Sequence, residues 1–312
     1  MTQLGFEGRV AVVTGAGRGI GRAYAHLLAA RGARVVVNDL VGSMEGLGAD
    51  PAPATAVVAE IADAGGTARA DTHDVATPTG AQALVEATLG EFGQLDVLIN
   101  NAGIIRWAGF PDADEANLSS HLAVHVGGSF HTTRAAWPHM VERGYGRIVM
   151  TTSTGMLGLP QNLSYATAKG GVIGLARSLA TAGAGHGIKV NLIAPAAVTR
   201  MAGTPPSRDR DSEVAPDPMS PDLVAPMAAF LAHETCPVSG EIYVAGAGRF
   251  ARMFIAVTEG YVHAADAPPT VEDVAEHWAL INDERGATIP TDLTAWSVGF
   301  LAHQRGDRPG TS

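Results

Sequence analysis

The sequence predicts an α/β protein, a single doubly wound parallel sheet with helices on both faces and a C-terminal extension. Two observations carry that prediction. Short β-branched runs, RVAVVT (9 to 14), ARVVVND (33 to 39), LDVLINN (95 to 101), GRIVMTT (146 to 152) and IKVNLIAP (188 to 195), alternate with Ala-rich stretches of helix length. Because these runs are apolar nearly throughout, they suit strands covered on both faces, which are parallel strands joined by crossover helices. The first run also passes directly through a glycine-rich turn, TGAGRGIG (14 to 21), into the helix-length stretch RAYAHLLAARG. That strand, turn and helix form the opening unit of a Rossmann-type dinucleotide-binding fold.

The remaining elements follow in order. VGSMEGLGADPAPA (41 to 54) is an irregular insertion before the helix ATAVVAEIADAG. The segment AGTPPSRDRDSEVAPDPMS (202 to 220) is rich in Pro, Asp and Arg, lacks a period and follows a strand end, which suits a lid or substrate loop. A helix-like stretch, PDLVAPMAAFLAHE (221 to 234), precedes a further candidate strand, GEIYVAGAG (240 to 248). The dinucleotide-binding domain is therefore expected over residues 1–250. Residues 251–312 form an extension that packs on the core or on a neighbouring subunit. Within it, PTVEDVAEHWALINDE reads as one amphipathic helix, with Thr270 and Asp273 as a capping-box variant.

Bulk properties narrow the function classes. A chain of 312 residues with 46% hydrophobic and 17% charged residues has ordinary globular composition. A formal net charge of -10 argues against a nucleic-acid partner. The single cysteine, Cys236, excludes an intramolecular disulfide framework and suits a reducing compartment. No signal-peptide pattern, long apolar span or C-terminal peroxisomal tripeptide is present, so the expectation is a cytoplasmic protein without a membrane span.

The glycine-rich turn states its ligand physically. Gly15 permits the tight turn, Gly19 lets backbone approach a pyrophosphate, and Gly21 lets the helix pack on the strand, with Arg18 and Ile20 between them. Asp39 closes the second strand, where a carboxylate accepts hydrogen bonds from the adenosine ribose and repels a 2′-phosphate. That favours NAD over NADP, while Arg18 beside the turn argues the other way. The bland alternative for Asp39 is a turn residue ending a strand.

TGAGRGIG, NNAG (100 to 103), YATAK (165 to 169) and IAP (193 to 195), in this order and spacing, resemble the short-chain dehydrogenase/reductase family over roughly residues 6 to 248. VVVNDL, HVGGSFHTTRAAWPHM, YGRIVMTTS, IAPAAVTRM and LAHETC resemble the (3R)-hydroxyacyl-CoA dehydrogenase modules of multifunctional β-oxidation enzymes and related actinobacterial steroid or acyl-CoA dehydrogenases. The resemblance implies that Asp74 and Val75 hold the adenine. It implies that Asn101, Ala102 and Gly103 support the adenine ribose and central strand. It places Pro195, Ala196, Val198 and Thr199 along the nicotinamide, with Thr199 on the carboxamide.

Oxidising a secondary alcohol requires the hydroxyl proton to leave as the hydride does. A tyrosine titrates near ~10, too high for that exchange at neutral pH unless its phenolate is stabilised. Lys169, four residues beyond Tyr165 on one helix face, is placed to supply a positive charge and to bind the nicotinamide ribose. In most members of the resembling family the substrate oxygen is held by a serine 13 residues before the tyrosine. That count lands on Thr152, whereas counting forward from Gly146 and Arg147 lands on Ser153. Ser153 is favoured, because a loop one residue short is easier to accommodate than a shifted strand, and Thr152 stays in competition.

Where many family members carry an asparagine that holds a proton-relaying water, this chain has His125, as the hydroxyacyl-CoA dehydrogenase modules do. An imidazole can relay protons, and the bland alternative is a helix histidine satisfied by a carbonyl. His121 and His125 lie at i and i+4, yet no acidic or cysteine partner with ligand spacing accompanies them, so no metal site is expected. Trp107, Met156, Leu157, Leu159 and Met201 make the expected substrate mouth apolar, and Arg106 and Arg200 are placed to meet CoA phosphates.

The expected activity is NAD-dependent interconversion of a secondary alcohol and a ketone, a 3-hydroxyacyl-CoA with a fatty or steroid side chain, in lipid metabolism. A free hydroxysteroid or other small secondary alcohol is the alternative substrate. A non-catalytic NAD-binding protein is the alternative from another class, opposed by the intact Tyr165 and Lys169. The resemblance further implies a homodimer or homotetramer through the helices bearing HVGGSFHTTRAAWPHM and YATAKGGVIGLARSLA.

Overall fold

The computed structural model describes residues 3–40, 51–197, 217–263 and 267–305. Residues 41–50 of the expected insertion, 202–216 of the expected lid, and Val198, Thr199, Arg200 and Met201 lie outside the described residues.

Eight described strands form one sheet: β1 (Val10–Thr14), β2 (Arg34–Asn38), β3 (Thr67–Asp71), β4 (Val97–Asn100), β5 (Gly146–Thr151), β6 (Ile188–Pro195), β7 (Ile242–Gly246) and β8 (Arg249–Met253). Their order is β3-β2-β1-β4-β5-β6-β7-β8, parallel from β3 to β7. The chain leaves β1 on one side to build β2 and β3 and returns on the other to build β4. This reversal opens a crevice at the carboxyl ends of β1 and β4, where open α/β sheets hold ligands. Ala247 and Gly248, both at positive φ, turn β7 directly into β8.

Strands β1, β4 and β5 are buried at every residue because helices cover both faces. On one face Ala11, Val13, Val35, Val37, Ile99 and Ile193 pack with α1 (Gly19–Ala30), α2 (Ala52–Asp63) and α7 (Ala225–Ala232). The alternate residues, Val12, Leu98, Ile148, Met150 and Leu192 among them, point to the other face. Three helices cover it: α3 (Pro78–Phe92), α5 (Gly128–Arg143) and α6 (Leu163–Gly183). Cys236 is a buried free thiol.

At the amino ends of the strands the fully buried Asp96 carboxylate accepts from the Val10 N–H at 2.8 Å and from Gln94 at 2.6 Å. Arg9 and Arg143 approach it at 3.4 and 3.5 Å. Arg9 also lies 3.9 Å above the Tyr145 ring. A charge buried this deeply is tolerable only when paired and hydrogen-bonded, and here both conditions hold.

The chain divides into two compact units, Met1–Arg252 and Met253–Ser312. In the second, the helix expected over 269 to 284 is broken at His277 into α8 (Val271–Glu276) and α9 (Trp278–Ile281), and α10 (Leu293–Phe300) follows. Thr270 and Asp273 form the reciprocal capping box that starts α8. Among the described residues, no helix is long and apolar enough to cross a membrane.

Candidate active site

The glycine-rich turn is built by close approach. Gly15 has φ of 65°, and a Cβ there would lie 2.8 Å from the Ala102 Cα. At Gly21 a Cβ would lie 2.2 Å from the Gly15 carbonyl oxygen, which explains why helix and strand require glycine there. Gly19 also has positive φ, 54°. Asp39, one residue past β2, accepts from the Gly17 N–H at 2.7 Å and so fastens the turn from the side. Arg18 precedes α1 with extended backbone, no side chain among the described residues caps the helix, and its first turn holds no acidic residue. Uncapped N–H groups at a glycine-lined helix N-terminus fit an anionic pyrophosphate. A crevice of about 570 Å³ beside the turn is lined by Gly17, Arg18, Arg22, Pro53 and Glu60.

The NNAG residues join the ends of β1 and β4. Thr14 Oγ1 accepts from the N–H groups of Asn101 and Ala102, each at 3.0 Å, and Asn101 Nδ2 donates to the carbonyls of Thr14 and Gly15. Gly103 lies against His125, where a Cβ would be 2.5 Å from the ring. Asp74 Oδ1 accepts from Ala76 N–H at 2.9 Å, and Val75 is buried beside Gly128. Asn38 holds this loop by donating to Asp71 and to the His73 carbonyl. Ala196, just past Pro195, donates to the Ala245 carbonyl at 2.8 Å. Thr14, Asn38 and Asp71 join the site as supports; Thr14 lies inside the glycine motif, and Asn38 and Asp71 end neighbouring strands.

Thr152 and Ser153 have different surroundings. Buried Asn162 caps α6 by accepting from Tyr165 N–H at 3.2 Å, which sets Tyr165 in the first turn. The Ser153 hydroxyl lies beside the Tyr165 phenol, close enough to oppose the effect of burial on it, and its Oγ accepts from Gly155 N–H at 3.0 Å. Thr152 Oγ1 instead donates to the Lys169 carbonyl at 2.7 Å, while Lys169 Nζ donates to the Thr151 carbonyl at 2.7 Å. This reciprocal clasp holds the lysine, with Nζ 5.7 Å from the centre of the Tyr165 ring.

The electrostatics differ from the expectation that Lys169 draws the phenol down. Burial pushes the Tyr165 phenol up, opposed by the Ser153 hydroxyl. Burial also pushes the Lys169 ammonium down to about 7, which weakens the charge it offers its neighbour.

His125 lies in a π-helical segment, Leu122–Gly127, between α4 (Glu115–His121) and α5. Its Nε2 is 2.9 Å from the Ile104 carbonyl oxygen and 3.4 Å from the Ile104 nitrogen; the shorter contact fixes Nε2–H as a donor. Nδ1 then carries a lone pair, buried and without a hydrogen-bond partner among the described residues. The ring stands edge-on to Tyr165, centroids 5.4 Å apart. Burial and the Lys169 charge hold His125 well below the usual histidine range, so it is neutral. Trp107, Phe110 and Leu157 are exposed, and Met156 and Leu159 are part-buried.

Such a glycine-rich turn at the switch point of a parallel sheet, with Tyr165 and Lys169 on α6, has the form of a nicotinamide-dependent oxidoreductase. The chain belongs to the short chain dehydrogenase family, which it matches over residues 9–210 and whose members use NAD(P). It is 43% identical over 286 residues to a short-chain type dehydrogenase/reductase of Mycobacterium tuberculosis, covering 91% of this chain and 98% of that one. It is 40% identical to peroxisomal multifunctional enzyme type 2 of Mus musculus over 96% of this chain and 40% of that one. The full-length peroxisomal multifunctional enzyme type 2 of Drosophila melanogaster superposes with a TM-score of 0.79 at 33% identity, over 98% of this chain and 51% of that one. The chain thus spans about half or less of these multifunctional enzymes.

Proposed function

We propose that the protein is an NAD-dependent dehydrogenase of 3-hydroxyacyl-CoA thioesters bearing a fatty or steroid side chain, with Tyr165 as acid/base. The observation that carries the chemistry is the Ser153 hydroxyl beside the Tyr165 phenol, with buried Lys169 on the same helix. The substrate class is supported by the exposed apolar side chains of Trp107, Phe110 and Leu157 and by the likeness to (3R)-hydroxyacyl-CoA dehydrogenase modules.

NAD would be held by the turn from Gly15 through Gly21, with Arg18 and Ile20, by Asp39, Asp74 and Val75, by Asn101, Ala102 and Gly103, and by Pro195, Ala196, Val198 and Thr199. When bound, it accepts hydride from the carbinol carbon. Ser153 holds the substrate oxygen and Tyr165 removes the hydroxyl proton. Lys169, clasped by Thr151 and Thr152, supports the phenolate as it forms. The Nδ1 lone pair of His125 would accept a hydrogen bond along the path of that proton, the ring itself staying neutral. Asp39 sets negative charge where a 2′-phosphate would sit, which favours NAD. The active form is a homodimer or homotetramer through α5 and α6.

The test is turnover by the purified protein with NAD on a panel of 3-hydroxyacyl-CoA thioesters, free hydroxysteroids and small secondary alcohols. A higher kcat/KM on thioesters is expected. Preference for free alcohols would replace the substrate class, and NAD binding without any turnover would replace the catalytic reading.

A further inference from the structure

Beyond the acid/base group, the structure holds a ladder of side chains whose contacts to backbone no catalytic step uses. Asn117, His121 and His125 follow one another at four-residue spacing across α4 and the π segment. Each bonds the backbone of the segment that leaves β4 toward the mouth. Asn117 Nδ2 donates to the Arg106 carbonyl at 3.0 Å. The Arg106 N–H donates to His121 Nε2 at 3.2 Å. His125 Nε2 donates to the Ile104 carbonyl at 2.9 Å. Both groups of the Arg106 peptide backbone are therefore held from one helix.

The π segment makes that alignment workable. In an α-helix a four-residue step overshoots a full turn by ~40°, so successive rungs drift round the axis. A π turn contains more residues than an α turn, and the second step falls short of a turn, which brings His125 back toward the line of Asn117 and His121. On the segment's far side Ala108 bridges Asn162, the residue that caps α6. Gly109 runs so close to the Pro160 carbonyl oxygen that a Cβ would lie 2.5 Å from it. The wall carrying Arg106 and Trp107 is thus pinned between the tyrosine helix and α4.

His121 is the central rung. It is fully buried, and its Nδ1–H donates to the Asn117 carbonyl at 2.8 Å, which leaves Nε2 as the acceptor that Arg106 needs. Its ring stacks on His125 at 6.0 Å and meets Tyr165 edge-on at 6.3 Å. A histidine that only filled core space would not require both nitrogens to be matched to two different pieces of backbone.

We propose that His121 is a positioning residue: through the Arg106 peptide group, with Asn117, it fixes the Ile104–Trp107 wall against Tyr165 and sets how tightly substrate is held, not how fast its proton moves. The proposal rests on this crevice being the substrate site and is independent of which alcohol enters it.

The test combines hydrogen–deuterium exchange over residues 104 to 108 with steady-state kinetics on the best substrate of the panel above. His121→Phe keeps a ring and removes the acceptor. It is expected to speed exchange of the Arg106 amide about tenfold and to raise KM by roughly five- to tenfold with kcat unchanged. His121→Gln, whose Oε1 reaches the place of Nε2, is expected to return both readings toward wild type. Unchanged exchange in His121→Phe, no rescue by glutamine, or a fall in kcat at constant KM would each overturn the proposal. If His121→Phe does not fold, Asn117→Leu removes the neighbouring rung at a part-exposed position and must move exchange and KM in the same direction. A panel without turnover removes the substrate reading alone, since the exchange measurement still decides whether His121 holds the wall.

Discussion

At Thr152 and Ser153 two adjacent hydroxyls face different partners, one the Lys169 carbonyl and the other the Tyr165 phenol. Ser153→Ala is expected to lower kcat by about 10²–10³, the usual loss for one donor at a developing oxyanion. Thr152→Ala is expected to keep kcat within a few-fold and to cost about 1 kcal/mol of stability, because it removes a buried hydrogen bond to the Lys169 carbonyl. Stopped-assay kinetics and urea melts of both variants separate the two roles. No count along the chain decides between these neighbours; only the direction in which β5 delivers each side chain does. Lys169 adds a pH dependence. Its proton leaves near pH 7 in the folded protein and near 10.5 in the unfolded chain. Between those values the unfolded chain binds more protons, so stability rises with pH across the window; it falls as pH drops from 10.5 toward 7, below which both states carry the proton. Urea melts from pH 6.5 to 10 are expected to show this rise, of the order of a few kcal/mol, and Lys169→Met is expected to remove most of it. His121 and His125, both held below the usual histidine range chiefly by burial, add a loss of stability as pH drops below 6.5.

At the scale of elements, the buried parallel strands were legible because apolar runs covered on both faces leave a strong trace. β3 and β8 were not, and both are sheet edges: TARAD and RFARM have half-exposed faces and little β-branched content. The π segment left no periodic signal either, since LAVHVG is consistent with an ordinary helix. The capping box at Thr270 was legible, while the break at His277 was not, because the helical pattern continues through it. The turn after β1 was readable residue by residue, and the structure adds that Asp39 also fastens it through Gly17. Asp39→Ala is therefore expected to act twice. The proposed preference for NAD over NADP, measured as the ratio of kcat/KM values, should fall at least about tenfold. NAD affinity itself should weaken as the turn loses its side anchor.

For the whole molecule, the chain divides into the units Met1–Arg252 and Met253–Ser312. The first unit's core cluster runs from Phe6 to Ala245, whereas no described residue of the second unit is fully buried. Phe254, Trp278, Leu293 and Phe300 are among its exposed apolar side chains. A chain ending at Met253 is therefore expected to unfold in a single cooperative transition, with Tm lowered by no more than a few degrees, by calorimetry. Loss of cooperativity would show that the second unit completes the fold. The Asp96 cluster bears on how such a protein changes over time. It clamps Arg9, Val10, Gln94 and Arg143 at one rim of the sheet, a strand's length of roughly 17 Å from the rim that carries the chemistry. Mutations that reshape the mouth for a new substrate therefore fall on ground that foldability does not depend on, so one scaffold can diversify in substrate range while its anchoring end stays under constraint.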